Sequence, residues 1–137
     1  MNMKKPISFL LTAIVCLSLL VGCAKALPEG YDRNLLSESA KKIITDMGNA
    51  NYAAVISELN SDMKTVMTED YFKTNIAPIY TAAGEFKSFG NVTMAATQEE
   101  SYGEYVSVVV ACRYANLALT YTISYNKDMQ VIGLYMK

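Results

Sequence analysis

Five tyrosines, Tyr80, Tyr114, Tyr121, Tyr125 and Tyr135, form the group best suited to line a ligand pocket. Each offers a large apolar ring with a hydrogen-bonding tip. The same residue type is favoured in the core and at the rim of a twisted sheet, so both readings stand at this level. Arg113 follows Cys112 and has the fork that holds a carboxylate or phosphate, or pairs with a neighbouring acid on a solvated face. Cys112 alternates with valines and reads as a small buried hydrophobe. Glu99, Glu100 and Glu104 cluster in sequence, but their spacing matches no calcium loop, and a solvated turn is the expectation. The chain has no histidine. That removes the commonest general base and metal ligand, and with them a Ser-His-Asp or Cys-His centre built from this chain alone. No catalytic residue, metal or cofactor is assigned.

A second chemistry sits near the N-terminus. Lys4 and Lys5 precede an apolar run, Ile7 to Val21, broken only by small polar residues. It is too short for a comfortable membrane span of about 20 apolar residues and has the flanks of a secretory signal. Leu20-Val21-Gly22-Cys23 closes the run. These four residues resemble the bacterial lipobox, in which a cysteine thiol is alkylated by a diacylglyceryl group and the chain is cut before it. The resemblance makes Cys23 the lipidated first residue of the mature protein. Two acyl chains, each contributing ~0.8 kcal/mol per buried CH₂, anchor firmly. The expected organisation is a signal peptide over 1–22, a lipidated tether over 23–33 and one domain over 34–137. The expected location is the extracytoplasmic face of the cell membrane.

Loss of residues 1–22 removes Lys4 and Lys5 and no acid, which takes the net charge from −1 to −3. No basic stripe remains, so nucleic acid is not an expected partner. Cys16 leaves with the signal and Cys23 is lipidated, which leaves Cys112 without an intramolecular disulfide partner. The domain must hold together by packing alone.

The periodicity supplies the elements. Leu36, Ala40, Ile43, Ile44 and Met47 repeat on one helical face, with Asn34 or Ser37 as the cap and Gly48 as the stop. Asn49 or Asn51 caps a second helix with the stripe Tyr52, Val55, Ile56, Leu59. Met63, Val66 and Met67 continue as a short turn. Thr68 caps a third helix through Phe72, Ile76, Ile79, Tyr80 and Ala83, kinked near Asn75 to Pro78 and closed by Gly84. From Glu85 the period becomes two. Strands are expected over 86–96, with a bulge at Gly90, and over 102–114, 117–125 and 129–136, joined by short turns. Val106, Val108, Val110, Leu119 and Ile123 should meet Ile43, Ile56, Ile76 and Ile79 in the core. The class is α+β, with N-terminal helices packed on one face of a four-stranded antiparallel meander.

The stretch from Ala82 to Val92, in which a helix ends in Gly84 before Phe86, and the strands from Ser107 to Met136 are similar to a small domain family of unknown function. The family occurs in lipoproteins of Gram-positive bacteria and in front of some hydrolase domains. It looks related to the cone-shaped fold of nuclear transport factor two. The resemblance covers roughly residues 35 to 137. The extra strand usual among that fold's helices is missing, so a deep conical pocket is not implied. No hydrolase segment follows, so no hydrolase activity is implied either. Three function classes remain: a non-enzymatic module binding an apolar ligand or an envelope protein, a small enzyme using a helix–sheet pocket, and a structural accessory of an envelope complex.

Overall fold

The computed structural model describes residues 26–137. The expected signal peptide over 1–22 and Cys23 lie outside the described residues.

Helix α1 (Arg33–Gly48) begins at Asp32, ahead of the expected caps. The Asp32 carboxylate accepts the backbone N–H groups of Asn34 and Leu35 at 2.8 and 2.9 Å, which satisfies two otherwise orphaned donors. The expected stripe is the buried face: Leu36, Ala40, Ile43, Ile44 and Met47. Gly48 is not the stop. The left-handed residue is Ala50, at φ 58°. Asn51 N–H bonds back to Asp46 C=O at 2.8 Å and Ala50 N–H to Met47 C=O at 3.1 Å, a Schellman closure built on alanine.

Helix α2 (Tyr52–Glu58) buries Tyr52 and Val55. Asn60 caps α3 (Ser61–Val66) by accepting Met63 N–H at 3.0 Å. Its own N–H reaches Val131 C=O at 2.9 Å and ties the helices to the sheet. Thr68 accepts Tyr71 N–H at 3.2 Å, as expected, and starts a helical rod. The rod runs through α4 (Glu69–Tyr71), a π-helical turn (Phe72–Ile76) and α5 (Ala77–Ala83). Where a proline kink was expected, the chain inserts the wider turn instead: Ala77 N–H bonds to Phe72 C=O, and Pro78 sits in the first turn of α5, where its missing N–H costs least. Phe72 is fully buried and stacks on Tyr52 with centroids 5.2 Å apart.

Strands β1 (Phe86–Glu99), β2 (Gly103–Tyr114), β3 (Ala118–Tyr125) and β4 (Val131–Met136) form one antiparallel meander in the order β1-β2-β3-β4. β1 runs on to Glu99, beyond the expected end at Ala96. Its register shifts between Phe89 and Val92, around Gly90, and again between Phe86 and Ser88. Val106, Val108, Val110, Cys112 and Tyr114 of β2 and Leu119, Tyr121, Ile123 and Tyr125 of β3 are buried against the helices. Simple alternation would place Val131 on the opposite face from Leu134 and Met136. A register shift at Tyr125 instead lets Val131 be fully buried beside Tyr125, while Leu134 still faces Ile123. Ile43 is in the core as expected, whereas Ile56, Ile76 and Ile79 are partly buried at its margin. Full burial of each Val, Leu or Ile contributes about 1.5–3 kcal/mol, so the valines of β2 and the larger side chains of β3 both stabilise the sheet's packing on the helices.

The segment before α1 is docked. Leu27 and Tyr31 pack against the core, and the Tyr31 hydroxyl donates to Glu104 C=O at 3.0 Å. Among the described residues no helix is long and apolar enough to cross a membrane.

Candidate functional site

Alternation along β2 and β3 sends Tyr114 and Tyr121 to the helix side of the sheet. Helical spacing sends Tyr80 of α5 down to meet them. Tyr121 hydroxyl lies 2.8 Å from that of Tyr80 and 2.7 Å from that of Tyr114. The Tyr80 and Tyr114 rings meet edge to face at 5.9 Å, and Phe86 packs edge-on to Tyr114 at 5.5 Å. Tyr121 is fully buried and Tyr114 nearly so, while Tyr80 is half-buried.

Two of these tyrosines line a cleft of about 390 Å³ between the end of α1 and the entry to β1. Ile44 and Gly48 form one wall, and Tyr80, Tyr114, Glu85 and Phe86 form the other. A Cβ on Gly48 would meet the Tyr80 ring at 3.6 Å, an ordinary contact, so the ring packs beside the helix without requiring a glycine there. Gly84, at φ 79°, turns the chain from α5 into β1 and brings Glu85 and Phe86 to the cleft. The β2–β3 turn holds that corner: Asn116 donates its side-chain N–H to Ala82 C=O at 3.1 Å and its backbone N–H to Ala83 C=O at 2.9 Å.

Burial raises all three hydroxyl pKa values above the ordinary tyrosine value of 10.0. The cluster is therefore neutral at physiological pH, and its groups act as hydrogen-bond donors and acceptors, not as bases. Tyr80 and Tyr114 also share a side-chain hydrogen bond, so the three hydroxyls form one mutually bonded cluster. At the rim, Glu85 has its pKa lowered by its 2.8 Å hydrogen bond to Lys87 and stays ionised.

The other two candidate tyrosines lie elsewhere. Tyr125 is fully buried, and its hydroxyl donates to Ser39 Oγ at 3.0 Å; burial pushes its pKa up to about 12. Tyr135 is 71% exposed, opposite Thr122 and away from the cluster. Cys112 is buried and burial pushes its thiol up to about 11, which suits an inert core residue. Arg113 is exposed. Glu104 pairs with Lys127 at 3.3 Å and Glu99 accepts from Tyr105 at 3.3 Å, both at the surface. Among the described residues no group of three or more His, Cys, Asp or Glu side chains is placed to hold a metal. The cleft also uses Ile44, Gly48 and Phe86, which sequence reasoning did not single out. Its one local signal was the Gly-Glu-Phe corner at residues 84–86.

Residues 40–134 match the profile of the family described as "Protein of unknown function (DUF3887)". The fold is similar to that in the "NMR structure of protein from Ruminococcus gnavus ATCC 29149", with a TM-score of 0.67 and 24% identity over 81% of this chain and 96% of that one. At that identity the likeness shows the fold alone. No curated protein matches the chain.

Proposed function

The chain belongs to the DUF3887 family of proteins of unknown function, and we propose that it is a membrane-anchored binding module. In this reading Cys23 carries the lipid, the domain faces the outside of the cell, and the cleft beside Tyr80 and Tyr114 takes a small uncharged molecule. The ligand is mostly apolar and carries one hydrogen-bond acceptor, such as a carbonyl or ether oxygen. The observation that carries this is the neutral hydroxyl cluster whose Tyr80 and Tyr114 line a cleft walled also by Ile44 and Phe86. A hydrogen bond from a neutral hydroxyl to a ligand oxygen contributes about 0.5–1.5 kcal/mol. The raised hydroxyl pKa values favour binding over proton abstraction. Helices over one sheet face, with only a shallow cleft, support a distant relation to the cone of nuclear transport factor two.

Calorimetric titration of the protein with cyclohexanone, methylcyclohexane and cyclohexanecarboxylate tests the ligand class. The ketone should bind more tightly than the hydrocarbon by about fivefold or more, as one hydrogen bond of ~1 kcal/mol or more requires. The carboxylate should bind worst, because its charge would lose water in an apolar cleft. Tyr80→Phe combined with Tyr114→Phe should erase the preference for the ketone. Equal affinity for all three probes, or consumption of any of them, overturns the reading. For the anchor, a clickable fatty acid should label the wild type and leave Cys23→Ser unlabelled.

A further inference from the structure

β4 is an edge strand whose outer backbone groups are open. Thr120 and Lys137 exchange both N–H···O bonds, at 2.8 and 3.0 Å. Alternation along an antiparallel ladder makes Thr122 and Tyr135 a hydrogen-bonded pair, and Tyr121–Met136 and Ile123–Leu134 non-hydrogen-bonded ones. The N–H and C=O groups of Leu134 and Met136 therefore point away from β3. Among the described residues no backbone bond from outside the sheet reaches either; Asn60 covers only Val131.

Sheet edges are ordinarily blunted by charge, proline or bulges. The opposite edge, β1, follows that rule, with two register shifts and Lys87. Val131–Met136 has neither a charge nor a proline, Lys137 at the end of the ladder being the first charge beyond it, and past its single shift at Tyr125 the run Gly133 to Met136 is regular. It exposes Tyr135 on the outer face of the sheet. On the inner face, Leu134 and Met136 border a groove of about 270 Å³ with Met47, Met67, Ile76 and Ile79 as its other walls. No lining residue of the groove is charged.

We propose that β4 pairs antiparallel with β4 of a second copy, about a two-fold axis at Tyr135. In that register Leu134 of one copy faces Met136 of the other, and the two pairs use all four open N–H and C=O sets. Tyr135 then faces its own copy as a non-hydrogen-bonded pair, the position where side chains approach closest. The axis stands perpendicular to the sheet, so both sets of helices lie on one side of an eight-stranded sheet. Leu134 and Met136 of each copy enter the methionine-lined groove of the other. The strand is its own complement in hydrogen bonding, in apolarity and in lack of charge, which favours a second copy over a charged or polar partner.

The test is light scattering on the full chain in detergent, with variants at an exposed position where folding is not at stake. The wild type should be dimeric. Tyr135→Glu sets like charges opposite each other and should weaken association by about tenfold or more, with an unchanged far-UV circular dichroism spectrum. In a background with Cys16 and Cys23 replaced by serine, Tyr135→Cys should crosslink under mild oxidation, since such pairs have Cα atoms about 4.5 Å apart. Gln130→Cys, off the axis, should not. A dimer that survives Tyr135→Glu and does not crosslink at Tyr135→Cys overturns the proposal. So does a monomeric wild type, and if that monomer binds an extended apolar peptide along β4, the edge belongs to a partner strand.

Discussion

Tyr80 and Tyr121, 41 residues apart, meet hydroxyl to hydroxyl at 2.8 Å across the boundary between helix α5 and strand β3. Tyr121 is the middle member, because its other bond reaches Tyr114 at 2.7 Å. The polar contact lies within an otherwise apolar layer, so its members depend on one another.

Removing the middle hydroxyl should cost more than removing an end. Tyr121→Phe removes the hydroxyl bonded to both Tyr80 and Tyr114 at once, and should destabilise by about 1–3 kcal/mol. Tyr80→Phe leaves one bond of the chain intact and should cost about 0.5–1.5 kcal/mol. Urea unfolding of the two variants checks the order. Equal losses would mean that the hydroxyls act independently.

Alkaline pH should unfold the domain progressively. Tyr125 has its pKa raised by burial from 10.0 to about 12, and burial also raises Tyr80, Tyr114 and Tyr121. A raised pKa means that the folded state holds the proton when the unfolded chain has released it. The stabilisation is fully present below pH 10 and is lost as pH rises through the folded values. Between pH 10 and 12 Tyr125 lowers stability by up to about 1.4 kcal/mol per pH unit, and the other three act in the same direction. Denaturant midpoints measured at pH 8, 10 and 11 should fall only above 10, and Tyr125→Phe should make the fall shallower.

Two glycines flanking the cleft should respond in opposite ways to alanine. Gly84 has φ 79° and ψ −156°, a region essentially reserved for glycine, and a Cβ there would lie 2.9 Å from Asn116 Nδ2. Gly84→Ala should cost about 2 kcal/mol or more, from strain and from loss of the Asn116 contacts to Ala82 and Ala83. Gly48 is inside α1, where a Cβ meets the Tyr80 ring at an ordinary 3.6 Å. Gly48→Ala should stabilise by up to about 1 kcal/mol. Thermal melts of both variants distinguish a strained corner from a permissive helical site.

The elements of this protein were legible in its sequence because each is written in a local period. The valines of β2 alternate and are buried on one face, and the stripe Leu36 to Met47 is the buried face of α1. Thr68 caps and Gly84 stops where their side chains, or the lack of one, dictate. Local detail escaped where several residues offered the same chemistry: Asp32, not Asn34, captured the free N–H groups of α1, and Ala50, not Gly48, took the left-handed position. The five tyrosines could be recognised as a type but not as a site. Parity placed Tyr114, Tyr121 and Tyr125 on the helix side and Tyr135 on the other. Nothing in parity says that Tyr121 lies under Tyr80 while Tyr125 reaches Ser39. That was decided by strand register, by the π-helical turn that sets where α5 points, and by the Gly84 corner. All three depend on contacts between residues far apart in the chain, and a local period carries no information about them.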